Sequence, residues 1–310
     1  MQQSVVDAYR PLRKHAELFD DSEGWRAEWF DMDFLHALST NVDSDWAKVI
    51  TTYVPGHVFS CKMFAKEFCE LLVDEVDNFM ASGLPARRPN TMNNYGLILN
   101  DIGFRPMIDL LQTTVLAKVA VRHWPQIKPF DRHHTFIVRY KVGEDLGLDM
   151  HTDASDVTFN VCLGKEFTGA GLSFCGVRGR PEHRKHIFTY QHELGRACWH
   201  LGRQRHGADD ISSGERLNLI IWNTSSRYQQ SEDSRHGYEN EAGPPDAICL
   251  SYTHDRDYGV FKEYTEKNRD HAGRGWCPPD QAAYSGFVPE DVGCCAPARG
   301  GLLSAGCAAM

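Results

Sequence analysis

The sequence predicts a β-core supported by a helical N-terminal layer, and three observations lead to this fold class. Apolar residues recur with helical spacing in two segments before residue 120. After Pro129 the pattern changes to short runs rich in Val, Ile, Phe, Thr and Tyr, divided by Gly, Asp and Ser. Such spacing is typical of a barrel or jelly roll and not of alternating strands and helices. With 310 residues, 42% hydrophobic and 24% charged, the chain has the composition of an ordinary globular protein.

Two helices are predicted in the N-terminal half. The first begins after Ser60, a candidate N-cap, and ends at Gly83. Its apolar stripe comprises Phe64, Phe68, Leu71, Leu72, Val76 and Phe79. The second begins at Pro106, a good first-turn residue, and ends at the Trp124-Pro125 pair.

Strands are predicted only after Pro129. They are Thr135–Tyr140, Val157–Leu163, Leu172–Cys175, Ala197–Leu201 and Leu217–Trp222. The chain is therefore expected to divide into a mixed helix and loop extension over 1–55, a helical support layer over 56–128, the β-core over 129–260 and a C-terminal extension with a loose tail over 261–310. Length alone leaves the number of domains open.

Composition limits the partners and the compartment. A net charge of −9 argues against a protein that binds nucleic acid over its whole surface. A local basic groove that binds nucleic acid is still possible on this composition. No stretch reaches the roughly 18 apolar residues of a membrane span, and the first residues lack the apolar core of a secretory signal. Ten cysteines occur without a C-x-x-C pair, so we expect reduced thiols and a cytoplasmic protein, with the nucleus as an alternative.

The strongest chemical signal lies in the β-core. His151 and Asp153 form an H-x-D pair, His206 follows at a distance, and Arg216 comes ten positions after His206. An H-x-D pair alone could arise by chance or be a loop and turn feature. Two imidazoles and one carboxylate, however, are the ligand set of non-haem Fe(II) oxygenases, which leaves positions open for a bidentate co-substrate and O₂. The larger pattern therefore predicts an iron site.

Arg216 suits the second end of such a co-substrate. If a 2-oxo acid chelates the iron at one end, its other carboxylate points into the barrel, where a planar guanidinium can bind it. Strand alternation would place Arg216, Asn218, Ile220 and Trp222 on the inner side of the barrel. The alternative is a salt bridge of Arg216 at a strand edge.

The span from about Pro55 to Tyr258 resembles the prolyl/lysyl hydroxylase-type 2-oxoglutarate- and Fe(II)-dependent dioxygenases. Within them it is most similar to the cytosolic branch of 2-oxoglutarate and iron-dependent oxygenase domain-containing proteins. The resemblance rests on three stretches, PNTMNNYGLIL (89–99), RYKVGEDLGLDMHTDASDVTFNVCLGKEFTG (139–169) and RHGADDISSGERLNLIIW (205–222). Lysyl hydroxylases share the ten-residue spacing from histidine to arginine. Thr152 departs from the pattern, because several relatives have Tyr or His there, and this bears on the substrate.

The resemblance implies a double-stranded β-helix, the cupin-like jelly roll, with iron bound by His151, Asp153 and His206. It also implies that Arg216 binds the distal carboxylate of 2-oxoglutarate, that Tyr140 assists it, and that Asn160 lies near the co-substrate. Fe(II), 2-oxoglutarate and O₂ would be required, with ascorbate as reductant.

The activity implied is hydroxylation of a lysyl or prolyl side chain in a polypeptide, with release of succinate and CO₂. Two alternatives stay open: the same chemistry on a small molecule or modified nucleobase, and a catalytically silent metal-binding scaffold. The expected partner is a polypeptide or small-molecule substrate. Nucleic acid is disfavoured, no membrane is expected, and the oligomeric state is unknown.

Other polar residues carry weaker signals. His183, His186 and His192 lie in RPEHRKHIFTYQHEL, interpreted as a solvated linker, with a substrate-facing lid as the alternative. His200 is a candidate neighbour of the ligands or a substrate contact. A basic patch, interpreted as a solvated face with an acidic substrate as the alternative, comprises Arg178, Arg180, Arg184 and Lys185. Cys249, His254, Cys277, Cys294 and Cys295 fit no zinc spacing, and a second metal there stays open.

Overall fold

The computed structural model describes residues 2–178, 180 and 185–235. The helices are α1 (Gln2–Tyr9), α2 (Met32–Thr40), α3 (Asp43–Val49), α4 (Lys66–Ala81), α5 (Arg105–Leu111), α6 (Ala117–Val121), α7 (Ser226–Gln229) and α8 (Glu232–Arg235). Short 3₁₀ turns cover Arg10–Leu12, Ala16–Phe19, Ala27–Trp29 and Leu99–Ile102, and a π-helical turn over Gln112–Leu116 joins α5 to α6. None of the described helices is both long enough and apolar enough to cross a membrane.

Two antiparallel sheets form the core. The strands are β1 (Thr51–Val54), β2 (Val58–Lys62), β3 (Gly96–Ile98), β4 (Arg132–Lys141), β5 (Leu148–His151), β6 (Val157–Gly164), β7 (Phe167–Gly169), β8 (Leu172–Val177), β9 (Phe188–Tyr190), β10 (Arg196–Leu201), β11 (Gln204–Ala208) and β12 (Ile211–Thr224). The larger sheet has the order β1-β2-β10-β6-β12-β4-β3, with β7 also paired to β12, and the smaller has the order β5-β11-β8-β9.

The chain passes repeatedly between these two sheets. Strands β4, β6, β10 and β12 lie in the larger sheet, while β5, β8, β9 and β11, which alternate with them along the sequence, lie in the smaller one. This alternation is the double-stranded β-helix, so the predicted fold class, mainly β with an N-terminal helical layer, is confirmed. The space enclosed between the sheets is where the site lies.

The side chains of strand β12 point alternately to the two faces of the larger sheet and so contribute to two separate hydrophobic clusters. Leu219 and Ile221 face the helical layer, in one cluster with Phe68 and Leu72 of α4. Ile220, between them in sequence, faces the space between the sheets. Strand β12 thus contributes apolar side chains to both faces of the larger sheet.

The helical layer is also held by buried polar contacts. Glu75 of α4 is fully buried, and its carboxylate accepts a hydrogen bond from the Tyr9 hydroxyl at 2.5 Å. The same carboxylate accepts hydrogen bonds from the backbone N–H groups of Lys14 at 3.0 Å and His15 at 2.7 Å. These bonds satisfy the buried charge and tie the N-terminal segment to α4.

The predicted starting position of the first helix is wrong. Ser60 is not an N-cap but a buried residue of β2, where it pairs with Thr51 of β1 and Cys198 of β10. Helix α4 begins only at Lys66, and Gly83, with a φ of +72°, follows its end as predicted. The run from Val58 to Cys61 is buried, and its pairing with β10, some 140 residues away by sequence number (198 against 60), overrides the local helical pattern.

Several expectations fall outside the described residues. These are the C-terminal extension over 261–310, His183, Arg184, Cys249, His254, Cys277, Cys294 and Cys295. The described cysteines are free and buried, namely Cys61, Cys69, Cys162, Cys175 and Cys198.

Candidate metal centre

The three predicted ligands meet at one point between the sheets. His151 ends β5, Asp153 lies two residues beyond it, and His206 lies in β11, directly opposite His151 in the register of the two strands. One ligand atom from each residue lies within 4.8 Å of the other two. Asp153 carboxylate oxygens are 3.4 Å from His151 Nε2 and 3.7 Å from His206 Nε2.

Backbone carbonyls orient both imidazole rings. His151 Nδ1 lies 2.7 Å from the Asp149 carbonyl oxygen, and His206 Nδ1 lies 2.8 Å from the Gln204 carbonyl oxygen. Because a carbonyl can only accept, each Nδ1 carries a proton, and in the neutral form of each ring Nε2 is then the atom whose lone pair faces the other ligands. This arrangement is typical of metal-binding histidines. The donor set therefore fits a divalent cation of the first transition row.

The protonation states of the ligands agree with this fit. Burial lowers the pKa of His206 to about 3, so its ring is neutral at physiological pH and its lone pair is available. Burial opposes ionisation of Asp153, but the neighbouring His206 and His151 rings outweigh it and hold the pKa of this carboxyl below its usual range. The Thr158 hydroxyl also donates to the Asp153 carboxylate at 2.6 Å. A neutral His206 ring and an ionised Asp153 carboxylate thus lie side by side at the point where the three ligands meet.

Gly202, in the turn between β10 and β11, secures the loop that carries Asp153. Its carbonyl accepts a hydrogen bond from the Asp153 N–H at 2.8 Å, and its own N–H donates to the Asp156 carbonyl at 3.0 Å. A Cβ at this position would lie 1.9 Å from the Ser155 carbonyl oxygen, so only glycine allows the two turns to approach so closely. No motif marks this glycine, because its partner loop lies some 47 residues away by number (202 against 155).

We expect Gly202→Ala to weaken metal binding about ten-fold or more, because the added methyl group must displace the loop that holds Asp153. Titration of the purified protein with Mn(II) checks this. Gly143→Ala is the control: Gly143 has a φ of +91° and open space around it, so alanine there should lower stability without affecting metal affinity. An unchanged Mn(II) affinity in Gly202→Ala would contradict the proposed role of the turn.

A cavity extends from the three ligands into the space between the sheets. It brings together the residues predicted to contact the co-substrate, since Arg216, Tyr140 and Asn160 all line it beside the ligands. Its apolar wall comprises Phe136, Val138, Leu148, Leu172, Ala208, Ile220 and Trp222, and its other polar residues are Asn90, Asn93 and Thr158. None of Arg178, Arg180 and Lys185, the described members of the basic patch, lines the cavity.

Arg216 is a buried cation facing this cavity. Its side chain is 1% exposed, its Nη1 donates to the Ala170 carbonyl, and its guanidinium carbon lies 4.6 Å from the centroid of the Tyr140 ring. Its Nε is buried and has no hydrogen-bond partner. Burial lowers its pKa. A buried guanidinium with an unused N–H is a site for an anion.

Asn160 belongs to a group of hydrogen-bonded side chains that also includes Asn218 and His192. Asn218 of β12 donates to the Asn160 side-chain oxygen, and the same nitrogen lies 3.3 Å from His192 Nδ1. The interpretation of His192 as a solvated linker residue is therefore wrong. Its Nε2 is enclosed without a partner, and burial, with a contribution from Arg216, holds its pKa well below the usual value. Edge-on packing against Tyr190, at 5.2 Å between ring centroids, turns the ring inwards.

His200 lies behind the ligands. It is fully buried, with its ring centroid 4.4 Å from that of His206 and 5.2 Å from that of Phe174. It does not line the cavity. Of the two predicted roles, the structure supports a packing neighbour of a ligand and not a substrate contact.

The fold and the site define this chain as a double-stranded β-helix protein with a two-histidine, one-carboxylate candidate metal centre. A family profile described as an OGFOD2-like domain matches residues 5–128. The "2-oxoglutarate and iron-dependent oxygenase domain-containing protein 2" of Danio rerio is 35% identical over 257 residues, which cover 82% of this chain and 74% of the relative. The chain belongs to the family of 2-oxoglutarate and iron-dependent oxygenase domain-containing proteins.

Two further relatives extend the comparison. The Arabidopsis thaliana protein ICU11, with the same family description, is 34% identical over 250 residues, covering 77% of this chain but 62% of its own length. The chain thus spans less than two thirds of that relative. Human "Procollagen-lysine,2-oxoglutarate 5-dioxygenase 1" is 26% identical over 193 residues, which cover 56% of this chain and 25% of the relative.

Proposed function

We propose that this protein is a 2-oxoglutarate- and Fe(II)-dependent dioxygenase that hydroxylates a C–H bond. The observation that carries the proposal is the convergence of His151, Asp153 and His206 to within 4.8 Å at one cavity, which also holds the buried cation Arg216. Three protein ligands on one side of a metal leave positions for a chelating co-substrate and O₂. The names of the curated relatives, which specify iron and 2-oxoglutarate, support this assignment.

Each described residue has a definite part in this proposal. When bound, Fe(II) with 2-oxoglutarate and O₂ supplies the oxidant, which inserts one oxygen atom into the substrate C–H bond as 2-oxoglutarate becomes succinate and CO₂. Arg216 binds the distal carboxylate of 2-oxoglutarate, and Tyr140 and Asn160 contact the same co-substrate. The apolar wall of the cavity excludes water, which strengthens these charged contacts.

We further propose a lysyl or prolyl side chain of a polypeptide as the substrate. Two observations support this class: the relative whose name specifies procollagen lysine, and the ten-residue spacing between His206 and Arg216. The aliphatic and aromatic wall of the cavity also suits the methylene groups of one such side chain. A small molecule or modified nucleobase is the alternative substrate, and the experiment below separates them.

Two finer points follow from the same proposal. We propose ascorbate as the reductant that keeps the iron in the Fe(II) state between turnovers. We also propose a cytoplasmic or nuclear location, because the described cysteines are free and buried and none of them forms a disulfide.

The decisive experiment measures succinate. Purified protein with Fe(II), ascorbate and 2-oxoglutarate should release succinate slowly without a substrate and faster with the correct one. Lysine-containing and proline-containing peptide libraries, a nucleobase panel and a metabolite extract are then compared for a mass gain of about 16 Da, one oxygen atom. A gain at lysine or proline supports the polypeptide substrate. A mass gain found only in the metabolite or nucleobase pool overturns the proposal of a polypeptide substrate. If the protein releases no succinate in the presence of Fe(II), the proposal of dioxygenase activity is overturned as well.

A further inference from the structure

Asn218 and His192 have no part in the proposed function, although both are joined to Asn160, which lines the cavity. Asn218 is a fully buried residue of β12, and His192 lies in the loop between β9 and β10. Neither of them lines the cavity itself. An effect of these two residues on a ligand must therefore pass through a neighbour that does, and Asn160 is the one they hold by hydrogen bonds.

The register of the larger sheet places Asn160 partway along the cavity. On β6, Thr158 marks the metal end, because its hydroxyl donates to the Asp153 carboxylate at 2.6 Å. Asn160 is the next residue on the same face, about 7 Å further along the strand. Its diagonal neighbour on β12, in the direction of Arg216, is Asn218. A co-substrate that reaches from the metal to Arg216 therefore passes Asn160.

One amide nitrogen connects the three side chains. Asn218 Nδ2 donates to Asn160 Oδ1 and lies 3.3 Å from His192 Nδ1. Because an amide nitrogen can only donate, His192 Nδ1 is the acceptor, and the ring proton is on Nε2. Burial holds the pKa of His192 well below its usual value, so the ring is neutral and keeps this acceptor. Each of the two protons on the Asn218 nitrogen thus has an acceptor.

This polarity decides which atom Asn160 presents to a ligand. Its oxygen is held by Asn218, so its amide nitrogen, a donor, is the atom that can meet a carboxylate. The opposite polarity would turn the Asn160 oxygen towards an anionic ligand, which is unfavourable.

The arrangement also costs stability in the protein alone. Asn218 Oδ1 and His192 Nε2 are enclosed and have no hydrogen-bond partner among the described residues. Two unpaired polar atoms in one group of side chains argue that the group is not optimised for folding, which favours a role in ligand binding.

We propose that His192 and Asn218 are positioning residues, which hold the Asn160 amide with its N–H groups towards a carboxylate oxygen of the co-substrate. The inference rests on the proposed function, because it assumes that 2-oxoglutarate binds beside Asn160. It gives His192 a role in co-substrate binding without a contact to the co-substrate: His192 orients Asn218, and Asn218 orients Asn160.

The test compares two substitutions of His192 by calorimetry with 2-oxoglutarate on protein loaded with redox-inactive Mn(II). His192→Phe keeps an aromatic ring against Tyr190 but offers no acceptor to Asn218. His192→Asn loses the ring, but its amide oxygen is as many bonds from the backbone as Nδ1 and can still accept. We expect His192→Phe to weaken 2-oxoglutarate binding about ten-fold and His192→Asn to stay within about three-fold, although His192→Asn unfolds at the lower temperature. A purely structural role of the ring predicts the reverse order of affinities.

Asn218→Leu tests the next contact. Leucine has a similar size but cannot donate to Asn160, so 2-oxoglutarate binding should weaken about ten-fold while Mn(II) affinity is unchanged. When Asn160 is already leucine, Asn218→Leu should have no further effect, because it acts only through Asn160. Asn223→Leu is the matched control. Asn223 is a buried asparagine of the same strand that donates to the Ile221 carbonyl at 3.0 Å and does not line the cavity, so affinity for 2-oxoglutarate should stay within about two-fold.

The positioning role is overturned if His192→Asn binds 2-oxoglutarate no better than His192→Phe, or if Asn218→Leu binds it like the wild type. Independent losses from the Asn160 and Asn218 substitutions, or an equal loss in Asn223→Leu, would overturn it too. If a His192 variant does not fold, the Asn218 and Asn160 variants decide the question. Failure of the wild-type, Mn(II)-loaded protein to bind 2-oxoglutarate is a different result, which overturns the proposed function itself.

Discussion

Asp153→Ala is expected to abolish metal-dependent succinate release and to weaken Mn(II) binding by more than about 100-fold. Asp153 supplies the only negative charge of the three candidate ligands, and without it only the two imidazole rings of His151 and His206 remain. Substituting a residue that merely orients a ligand costs about 10- to 100-fold in affinity, so loss of an anionic ligand should cost more. Mn(II) titration and a succinate assay on the same sample measure both effects.

Two controls separate loss of the metal from loss of the fold. Asp153→Asn keeps the shape and removes the charge, and it should lose metal affinity while keeping the wild-type circular dichroism spectrum. Asp131→Asn removes a carboxylate that accepts a hydrogen bond from the Ser226 N–H at 3.1 Å, away from the cavity, and should retain both activities. Mn(II) affinity close to wild type in Asp153→Ala would refute the assignment of the metal centre.

Arg216→Met is expected to weaken 2-oxoglutarate binding by about 100-fold while leaving the melting temperature unchanged or raised. The guanidinium is the buried cation of the cavity, and its loss leaves the distal carboxylate without a counter-charge. In the protein alone the same cation has an unpartnered Nε, and burial lowers its pKa, so folding carries a desolvation cost that methionine removes. Weaker 2-oxoglutarate binding together with unchanged or higher thermal stability would show that Arg216 serves ligand binding and not folding.

Calorimetry with 2-oxoglutarate and thermal unfolding measure the two effects. Arg196→Met is the control, because Arg196 on β10 donates to Glu193 at 2.8 Å and does not line the cavity. Its 2-oxoglutarate affinity should match that of the wild type. If Arg216→Met unfolded at a clearly lower temperature and bound 2-oxoglutarate normally, Arg216 would be a structural residue.

The candidate metal ligands and the accompanying arginine could be recognised from the sequence alone, because their chemistry requires particular residue types at particular spacings. The order His151, Asp153, His206 and Arg216 restricts both residue type and spacing, so it could be separated from the other histidines, which carry no such pattern. Strands β4, β6, β8, β10 and β12 were predicted for a similar reason, since short and mainly apolar runs indicate buried strands. Strands β5 and β11, which hold the two histidines, are short and polar, and they escaped prediction.

The errors share one physical cause. Ser60 directly precedes a segment with helical spacing, but it lies in a strand, because it pairs with Cys198 of β10, which is distant in sequence. Likewise, His192 stands in a polar stretch, yet it reaches the interior because Asn218 and Tyr190 meet it there. In both cases contacts between residues distant in sequence determine the conformation more strongly than the local preference of the segment does.

By itself, the sequence determined the class of fold and singled out His151, Asp153, His206 and Arg216 as candidate site residues, because side-chain chemistry and strand periodicity can be read from neighbouring residues. Only the tertiary structure decided which distant groups touch. The fit of Gly202 against Ser155 and the donation from Asn93 to Tyr140 each join residues some 47 positions apart (202 against 155, 140 against 93). Such contacts depend on sheet register and loop placement, and a shift by one residue would turn every strand side chain to the opposite face.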